Sequence, residues 1–327
     1  MRALITNGTD AALAESHPDP TPKPGEALVR VTAALALAPD AAIASSGSFT
    51  GVLGQAFVGE VESVGSREDA ELIGTRATAA ADIPCGVCEL CKRGLSAHCP
   101  HMQILGRQGR DGAFAELIAV PVKSLIKVPS SVTDEAAVFG RPLAAALHAS
   151  GVVRLDGKGF VTVLGDGVAA LLCAQAMSRR NATVRLLASQ PQTLALAEKL
   201  GVKHRALHDA GRRQDQDVVI ECTGAAESFA TATEMVRPRG SLVLVPVQET
   251  ADGAVAGRRS ADLSAVVRDE LNLIGARTGS LREAMHELEI GSYDPTPLIA
   301  RRLRLSDGVG VLNAASEPGQ LGVLVTL

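Results

Sequence analysis

Aromatic residues are scarce in this chain of 327 residues, which has six phenylalanines, one tyrosine and no tryptophan. Proteins that bind single-stranded nucleic acid stack the bases on such side chains, so their scarcity argues against a nucleic-acid partner. An excess of one charge sign is also missing, because the formal net charge is −4. The chain therefore has no electrostatic basis for binding nucleic acid or an anionic membrane, and we expect neither partner.

Long apolar runs are lacking as well. No stretch approaches the roughly 20 apolar residues that a membrane-spanning helix needs. The first ten residues, MRALITNGTD, contain no apolar segment of the kind that a secretory signal has. We therefore expect a cytoplasmic protein, and its length predicts two globular domains rather than one.

Cysteine is rare, yet four of the six cysteines fall within the fifteen residues CGVCELCKRGLSAHC. Cys85, Cys88, Cys91 and Cys99 have the spacing C-x2-C-x2-C-x7-C, and four thiolates suit a tetrahedral Zn²⁺. Four protein ligands leave no open position on the metal, which indicates a structural site. An iron–sulfur cluster is one alternative, but bacterial ferredoxins have a shorter last gap before the Cys-Pro pair. Disulfides are another, but they need an oxidising compartment.

Short strand-like segments fill the first part of the chain, with examples at 27–37, 57–65 and 114–121. Glycine and proline separate them at short intervals, and this pattern predicts an antiparallel, barrel-like domain.

From residue 160 onward, strands alternate with helices, which predicts a doubly wound parallel sheet of the α/β class. The predicted strands are at 160–164, 182–189, 217–224 and 240–247, and the predicted helices follow the first turn and cover 191–201 and 225–236. The stretch 249–262 is the most loop-like. A further helix at 281–290 and a strand at 321–327 complete the predicted elements.

The segment GDGVAA (165–170) follows an apolar strand and opens a helix, which is the setting of the dinucleotide fingerprint G-x-G-x-x-G/A. Gly165 suits the tight turn, and Gly167 lets the backbone approach a pyrophosphate. The Asp166 carboxylate would repel that pyrophosphate unless it points away. We place the cofactor against a set of residues at the carboxyl ends of the strands: Gly165, Gly167, Val168, Ala188, Ser189, Thr223, Val245 and Val247.

The second strand of the parallel sheet ends without an acid. An Asp or Glu there accepts a hydrogen bond from the ribose 2′-OH of NAD, whereas this chain has Ala188 and Ser189. The 2′-phosphate of NADP would be tolerated better, so the sequence favours NADP(H) over NAD(H).

These features together resemble the zinc-type medium-chain dehydrogenase/reductase family, the alcohol and polyol dehydrogenases. The resemblance covers nearly the whole chain, including PKPGEALVRV (22–31), the four-cysteine lobe at about 84–102, DGAFAELIAVP (111–121) and EPGQLGVLVTL (317–327). It implies a GroES-like β-barrel-type catalytic domain, here 1–135 with 277–327, and a Rossmann domain, here 136–276. It also implies a structural zinc in the lobe, a cofactor cleft between the domains, a small-molecule substrate, and a homodimer or homotetramer paired at the edge of the Rossmann sheet.

The three motifs that hold the family's catalytic zinc are altered in this chain. Leu37 stands in place of a cysteine, Gln55 in place of a histidine, and Arg141 in place of an anionic ligand. Asp40 of the first motif remains. Leucine and arginine cannot bind zinc and glutamine binds it poorly, so we expect no catalytic zinc.

Two functions remain open. The first is an oxidoreductase that transfers hydride between NAD(P)(H) and a small carbonyl, alcohol or activated alkene without a catalytic zinc. The second is a non-catalytic protein that binds a dinucleotide or another ligand on the same fold. Arg141 likewise has two interpretations. It either fills the former zinc site by contacting Gln55 or Asp40, or it donates hydrogen bonds to an oxygen of the ligand.

Overall fold

The computed structural model describes residues 1–155, 157–211, 213–245, 262–317, 319 and 321–327. Up to residue 139, the chain forms mostly short strands. In chain order its regular elements are β1 (Ala3–Thr6), β2 (Ala11–Ala14), β3 (Glu26–Ala36), α1 (Ala38–Ala44), β4 (Gly51–Val52), β5 (Ala56–Val64), β6 (Arg76–Ala79), β7 (Asp82–Ile83), α2 (Glu89–Lys92), β8 (Gln103–Leu105), β9 (Gly109–Arg110), β10 (Leu117–Pro121), β11 (Leu125–Lys127) and α3 (Asp134–Ala137).

From residue 140 onward, helices and strands alternate. The elements are α4 (Gly140–Gly151), β12 (Gly159–Leu164), α5 (Gly167–Ser178), β13 (Ala182–Ala188), α6 (Pro191–Lys199), β14 (His204–Ala206), β15 (Gln216–Glu221), α7 (Ala226–Met235), β16 (Val236–Leu244), α8 (Ser264–Arg268), β17 (Asn272–Gly275), α9 (Leu281–Glu289), β18 (Ile299–Arg304), α10 (Val309–Ser316) and β19 (Gly322–Thr326).

The parallel sheet has the strand order β14-β13-β12-β15-β16-β17 within the described residues. Counted along the chain this is 3-2-1-4-5-6, the doubly wound order that binds dinucleotides where the order reverses. The reversal lies between β12 and β15, and the glycine turn follows β12. The predicted doubly wound sheet is therefore confirmed.

The antiparallel sheet is centred on β3, which pairs with β5, β10 and β19. β19 reaches β3 from the other end of the chain and pairs in parallel with β18. The barrel-type sheet thus combines segments from before and after the parallel sheet, as the resemblance implies.

Helix α5 is buried on nearly all sides, because its sequence GVAALLCAQAMS is apolar around its whole circumference. Such a helix needs cover on two faces. It packs against the parallel sheet on one side and against α4 on the other. One hydrophobic cluster continues from Leu35 and Phe139 through Leu171 to Val163, and so joins the two sheets.

The predicted boundaries differ from the observed ones at β16. The sequence predicts a strand over 240–247, whereas β16 begins at Val236 and includes Pro238 and Gly240. Proline is unfavourable in a central strand, so Pro238 gives no sequence signal that the strand extends back to Val236. Most of the loop-like stretch at 249–262 lies outside the described residues. Every helix in the described part of the chain is too short or too polar to cross a membrane.

Candidate active site

The glycine turn between β12 and α5 has a backbone that suits glycine. Gly165 has φ of 137° and Gly167 has φ of 79°, conformations that other residues rarely adopt. A Cβ at Gly165 would also lie 3.1 Å from the Cβ of Cys222, at the end of β15. The turn therefore brings the ends of β12 and β15 close together at the point where the strand order reverses.

A cavity of about 190 Å³, here called the cleft cavity, lies where the glycine turn faces the antiparallel sheet. It brings together Gly167 and Val168 of α5 with Leu37, Gln55 and Arg141, which are far apart in sequence. The other lining residues are Ala38, Pro39, Ile43, Asp82, Arg107, Pro142, Ala145, Ala146, Asp166, Ala169, Cys173, Val245, Arg277 and Thr278.

A smaller cavity of about 60 Å³, here called the sheet-edge cavity, lies at the carboxyl ends of β12, β13 and β15. Its lining includes four of the residues predicted to bind cofactor: Gly165, Ala188, Ser189 and Thr223. Gly167, Val168 and Val245 line the cleft cavity. Val247 lies outside the described residues.

Asp166 borders both cavities and bonds across to the end of β13. Its Oδ1 accepts hydrogen bonds from the backbone N–H of Gln190 at 2.9 Å and of Ser189 at 3.2 Å, and its Oδ2 accepts from Ser189 at 3.1 Å. The carboxylate is thus turned toward the second strand of the sheet, which removes the objection that it would repel a pyrophosphate at the turn.

Two polar oxygens are buried beside the cleft cavity without a hydrogen bond. They are Oε1 of Gln55 and Oδ1 of Asp40, and their residues are only 5% and 4% exposed. The other oxygen of Asp40 accepts from the backbone N–H of Leu37 at 2.9 Å, at the start of α1. Burial raises the pKa of Asp40 from 3.8 to about 6, although the Leu37 N–H and the Arg141 charge both lower it.

Replacing Asp40 by asparagine is expected to stabilise the protein more at pH 8 than at pH 5. Folded Asp40 keeps its proton up to about pH 6, whereas the unfolded chain releases it near pH 3.8. The free energy of unfolding of the wild-type protein therefore falls as the pH rises from 3.8 to 6. Above pH 6 the cost is constant, at most about 3 kcal/mol. The asparagine side chain would stay neutral and still accept from Leu37. Urea unfolding at both pH values measures this, with exposed Glu15→Gln as the control. A stabilisation that does not grow with pH would contradict it.

Arg141 lies in the first turn of α4, half-buried in the cleft cavity. Within the described residues it forms no hydrogen bond and no ion pair, so the predicted contacts with Gln55 and Asp40 are not formed here. Its positive charge nevertheless lowers the pKa of Asp40.

Sequence reasoning missed three further charged residues in the cleft cavity, Asp82, Arg107 and Arg277. Arg277 also donates from Nη1 to the backbone oxygen of Ala97 at 2.7 Å, which connects the cavity wall to the cysteine lobe. No local pattern marks these residues, because only the fold brings them to the cleft.

The cleft cavity does not offer a zinc site of the family type. The positions that would hold the metal carry an alkyl chain, an amide and a guanidinium, and the amide oxygen of Gln55 faces no donor. Among the described residues, the one group of three or more potential ligands within reach of a single ion is the cysteine cluster. The residues at the cleft therefore do not fit a catalytic zinc.

The cysteine cluster does fit a metal. The Sγ atoms of Cys85, Cys88, Cys91 and Cys99 all lie within 4.8 Å of one another, and three of the six separations are 3.5, 3.8 and 4.0 Å. Zn–S bonds of about 2.3 Å place the sulfurs of a tetrahedral site about 3.8 Å apart. The backbone N–H groups of Val87 and Cys88 lower the pKa of the Cys85 thiol to about 6. The backbone N–H of Cys91 lowers the pKa of the Cys88 thiol, but burial and the neighbouring thiols together outweigh it and raise that pKa to about 11. Metal binding would have to displace the proton of such a thiol, so binding should be pH-dependent.

Two family models match this chain. Residues 23–130 match the alcohol dehydrogenase GroES-like domain, and residues 167–290 match the zinc-binding dehydrogenase domain. An L-threonine 3-dehydrogenase of Chelativorans sp. is 30% identical over 78% of this chain and 76% of its own length. The chain belongs to the zinc-binding alcohol dehydrogenase family. A sorbitol dehydrogenase of Bacillus subtilis is another relative, 26% identical over 75% of this chain and 74% of its own length.

Solved structures of dehydrogenases superpose on the whole chain. A zinc-binding dehydrogenase of Sinorhizobium meliloti 1021, solved with NADP bound, is 26% identical with a TM-score of 0.88, and the match covers 100% of this chain and 99% of that one. The L-idonate 5-dehydrogenase of Escherichia coli, 22% identical, has a TM-score of 0.87 over 100% and 98% of the two chains. The predicted family, its two-domain fold class and the oxidoreductase class are therefore confirmed.

Proposed function

We propose that this zinc-binding dehydrogenase relative transfers hydride between NAD(P)(H) and a small carbonyl, alcohol or activated alkene without a zinc ion at the reacting centre. One observation carries the proposal. The glycine turn and the positions of the missing zinc ligands face each other across the cleft cavity, and a guanidinium occupies one of those positions. Relatives named for threonine and sorbitol support a hydroxyl-bearing substrate or the corresponding carbonyl.

The cofactor-binding residues divide between the two cavities. Gly165, Ala188, Ser189 and Thr223 would hold the adenosine half, and Gly167, Val168 and Val245 would hold the pyrophosphate and nicotinamide half. The nicotinamide, when bound, supplies or accepts the hydride.

Arg141 would stabilise the oxygen that gains negative charge when a carbonyl is reduced. Its donors are not used by the described residues, so they are available to an oxygen that develops negative charge in the cleft cavity. In this proposal Arg141 takes the electrostatic part that a zinc ion takes in the family, with Gln55 and Asp40 as its neighbours.

The assembly and location complete the proposal. We propose a homodimer or homotetramer joined at β17, the edge of the parallel sheet, since Leu273 there and Val267 on the adjoining α8 are 43% and 77% exposed. Light scattering that gives a monomer mass would contradict it.

Four thiols held for a metal favour a reducing compartment, and so we propose a cytoplasmic location. We also propose that the boundaries between the two domains lie at 135/136 and 276/277.

The test uses the purified protein without added zinc. NADH and NADPH binding is titrated by fluorescence, and carbonyls, quinones and alkenals are then screened with cofactor deuterated at nicotinamide C4. Deuterium found in a product by mass spectrometry would support hydride transfer. Cofactor binding without turnover of any substrate would favour the non-catalytic alternative.

A further inference from the structure

We infer that Asp166, supplied by the glycine turn, makes this protein select NAD(H) over NADP(H). The inference rests on the proposed function in one respect, namely that a dinucleotide binds along the carboxyl ends of β12 and β13. It concerns which dinucleotide that is, and it reverses the preference for NADP(H) that the sequence favours.

The sequence favours NADP(H) because β13 ends at Ala188, where an NAD enzyme usually carries an acid. The structure supplies a carboxylate at this place from a different segment. Asp166 follows β12, yet its two oxygens bond to the backbone N–H groups of Ser189 and Gln190, just beyond the end of β13.

The carboxylate has the chemistry to recognise a ribose. An ionised carboxylate has about four acceptor sites, and the two backbone N–H groups do not fill them. A ribose 2′-OH can donate to a free lone pair on Asp166, which borders the sheet-edge cavity together with Ala188 and Ser189.

A 2′-phosphate at the same place meets two obstacles. Its negative charge is repelled by Asp166, and the N–H groups of Ser189 and Gln190 that could bind it are already occupied. The other described residues that line the sheet-edge cavity are apolar, glycine or hydroxyl-bearing, with no lysine or arginine among them.

The arginines on the neighbouring strands are engaged elsewhere. Arg185 on β13 donates to Thr162 Oγ1 at 3.1 Å. Arg205 on β14 donates to the backbone oxygen of Asp209 at 3.4 Å. Neither forms part of the lining of the sheet-edge cavity, so among the described residues no guanidinium lines the place where a 2′-phosphate would lie.

The test measures Kd for NADH and NADPH by fluorescence titration of the wild-type protein and three variants. Wild type is expected to bind NADH at least tenfold more tightly. Asp166→Asn removes the charge and keeps one acceptor for the backbone, and it should move the Kd ratio at least tenfold toward NADPH. Asp166→Ala also frees the Ser189 and Gln190 N–H groups and should improve NADPH binding further. Glu198→Gln removes an exposed charge from α6 and should leave the ratio unchanged.

A wild-type protein that binds NADPH as tightly as NADH would overturn the inference while leaving the proposed function intact. The same holds if Asp166→Asn, shown by circular dichroism to be folded, keeps the wild-type ratio. Failure of the wild-type protein to bind either dinucleotide would refute the proposed function and this inference together.

Discussion

Replacing Cys91 by serine is expected to release the metal from the cysteine lobe and to lower the free energy of unfolding by several kcal/mol. The lobe has little else to hold it, since its own apolar cluster contains only Cys99, Met102 and Ile104 as buried members. When so small a core is closed by a metal, the binding free energy becomes folding free energy. The neighbouring cleft should also be disturbed, because Arg277 bonds to Ala97 in the lobe.

Elemental analysis and thermal unfolding measure this effect. Wild type should carry one zinc per chain and Cys91→Ser much less, with a lower Tm. Val87→Ala, which shortens an exposed side chain in the same lobe, should retain the metal and the Tm. Two zincs per chain, or iron with visible absorbance, would contradict the assignment of one structural zinc.

Replacing Arg141 by leucine is expected to lower kcat at least a hundredfold while changing the Kd of the cofactor less than twofold. The loss of one donor to a developing oxyanion commonly costs about 10²–10³ in kcat. Arg141 has unused donors in the cleft cavity, whereas the dinucleotide would be held by the glycine turn and the strand ends. Arg141→Lys keeps the charge but not the fork of donors, and should recover part of the rate.

The alternative role of Arg141, filling a former metal site, has a different outcome. In that case Arg141→Leu would lower the Tm and leave turnover unchanged. Exposed Arg154→Leu controls for the loss of one positive charge. The pKa of Asp40 is a further readout. Removing the Arg141 guanidinium should raise this pKa above about 6.

Local patterns in the sequence predicted the parallel sheet and the metal lobe. Both depend on short-range features: a glycine turn between a strand and a helix, and four cysteines within fifteen residues. The position of Arg141 in the cleft was also predictable, because the resemblance aligns this residue with one of the family's zinc ligands.

Contacts between distant segments were not predictable in the same way. Asp166 was considered only as a neighbour of the pyrophosphate, because nothing in GDGVAA shows that its side chain reaches the backbone of Ser189. Whether Arg141 contacts Asp40 depends on the separation of their side chains in the fold, and the contact is absent from this structure. Such placements depend on how β12, β13 and α1 pack, which spacing in the sequence does not determine.

The pairing of β3 with β19 affects how the protein folds during synthesis. Ala33 to Ala36 pair with Thr326 to Val323, so the strands of the parallel sheet all leave the ribosome before this part of β3 finds its partner. The parallel sheet and its helices can fold first, while the backbone groups along one edge of β3 remain unpaired. An exposed strand edge readily pairs with other chains, and closing so long-range a contact is slow. We therefore expect completion of the barrel-type sheet to be the late and aggregation-sensitive step in making this protein.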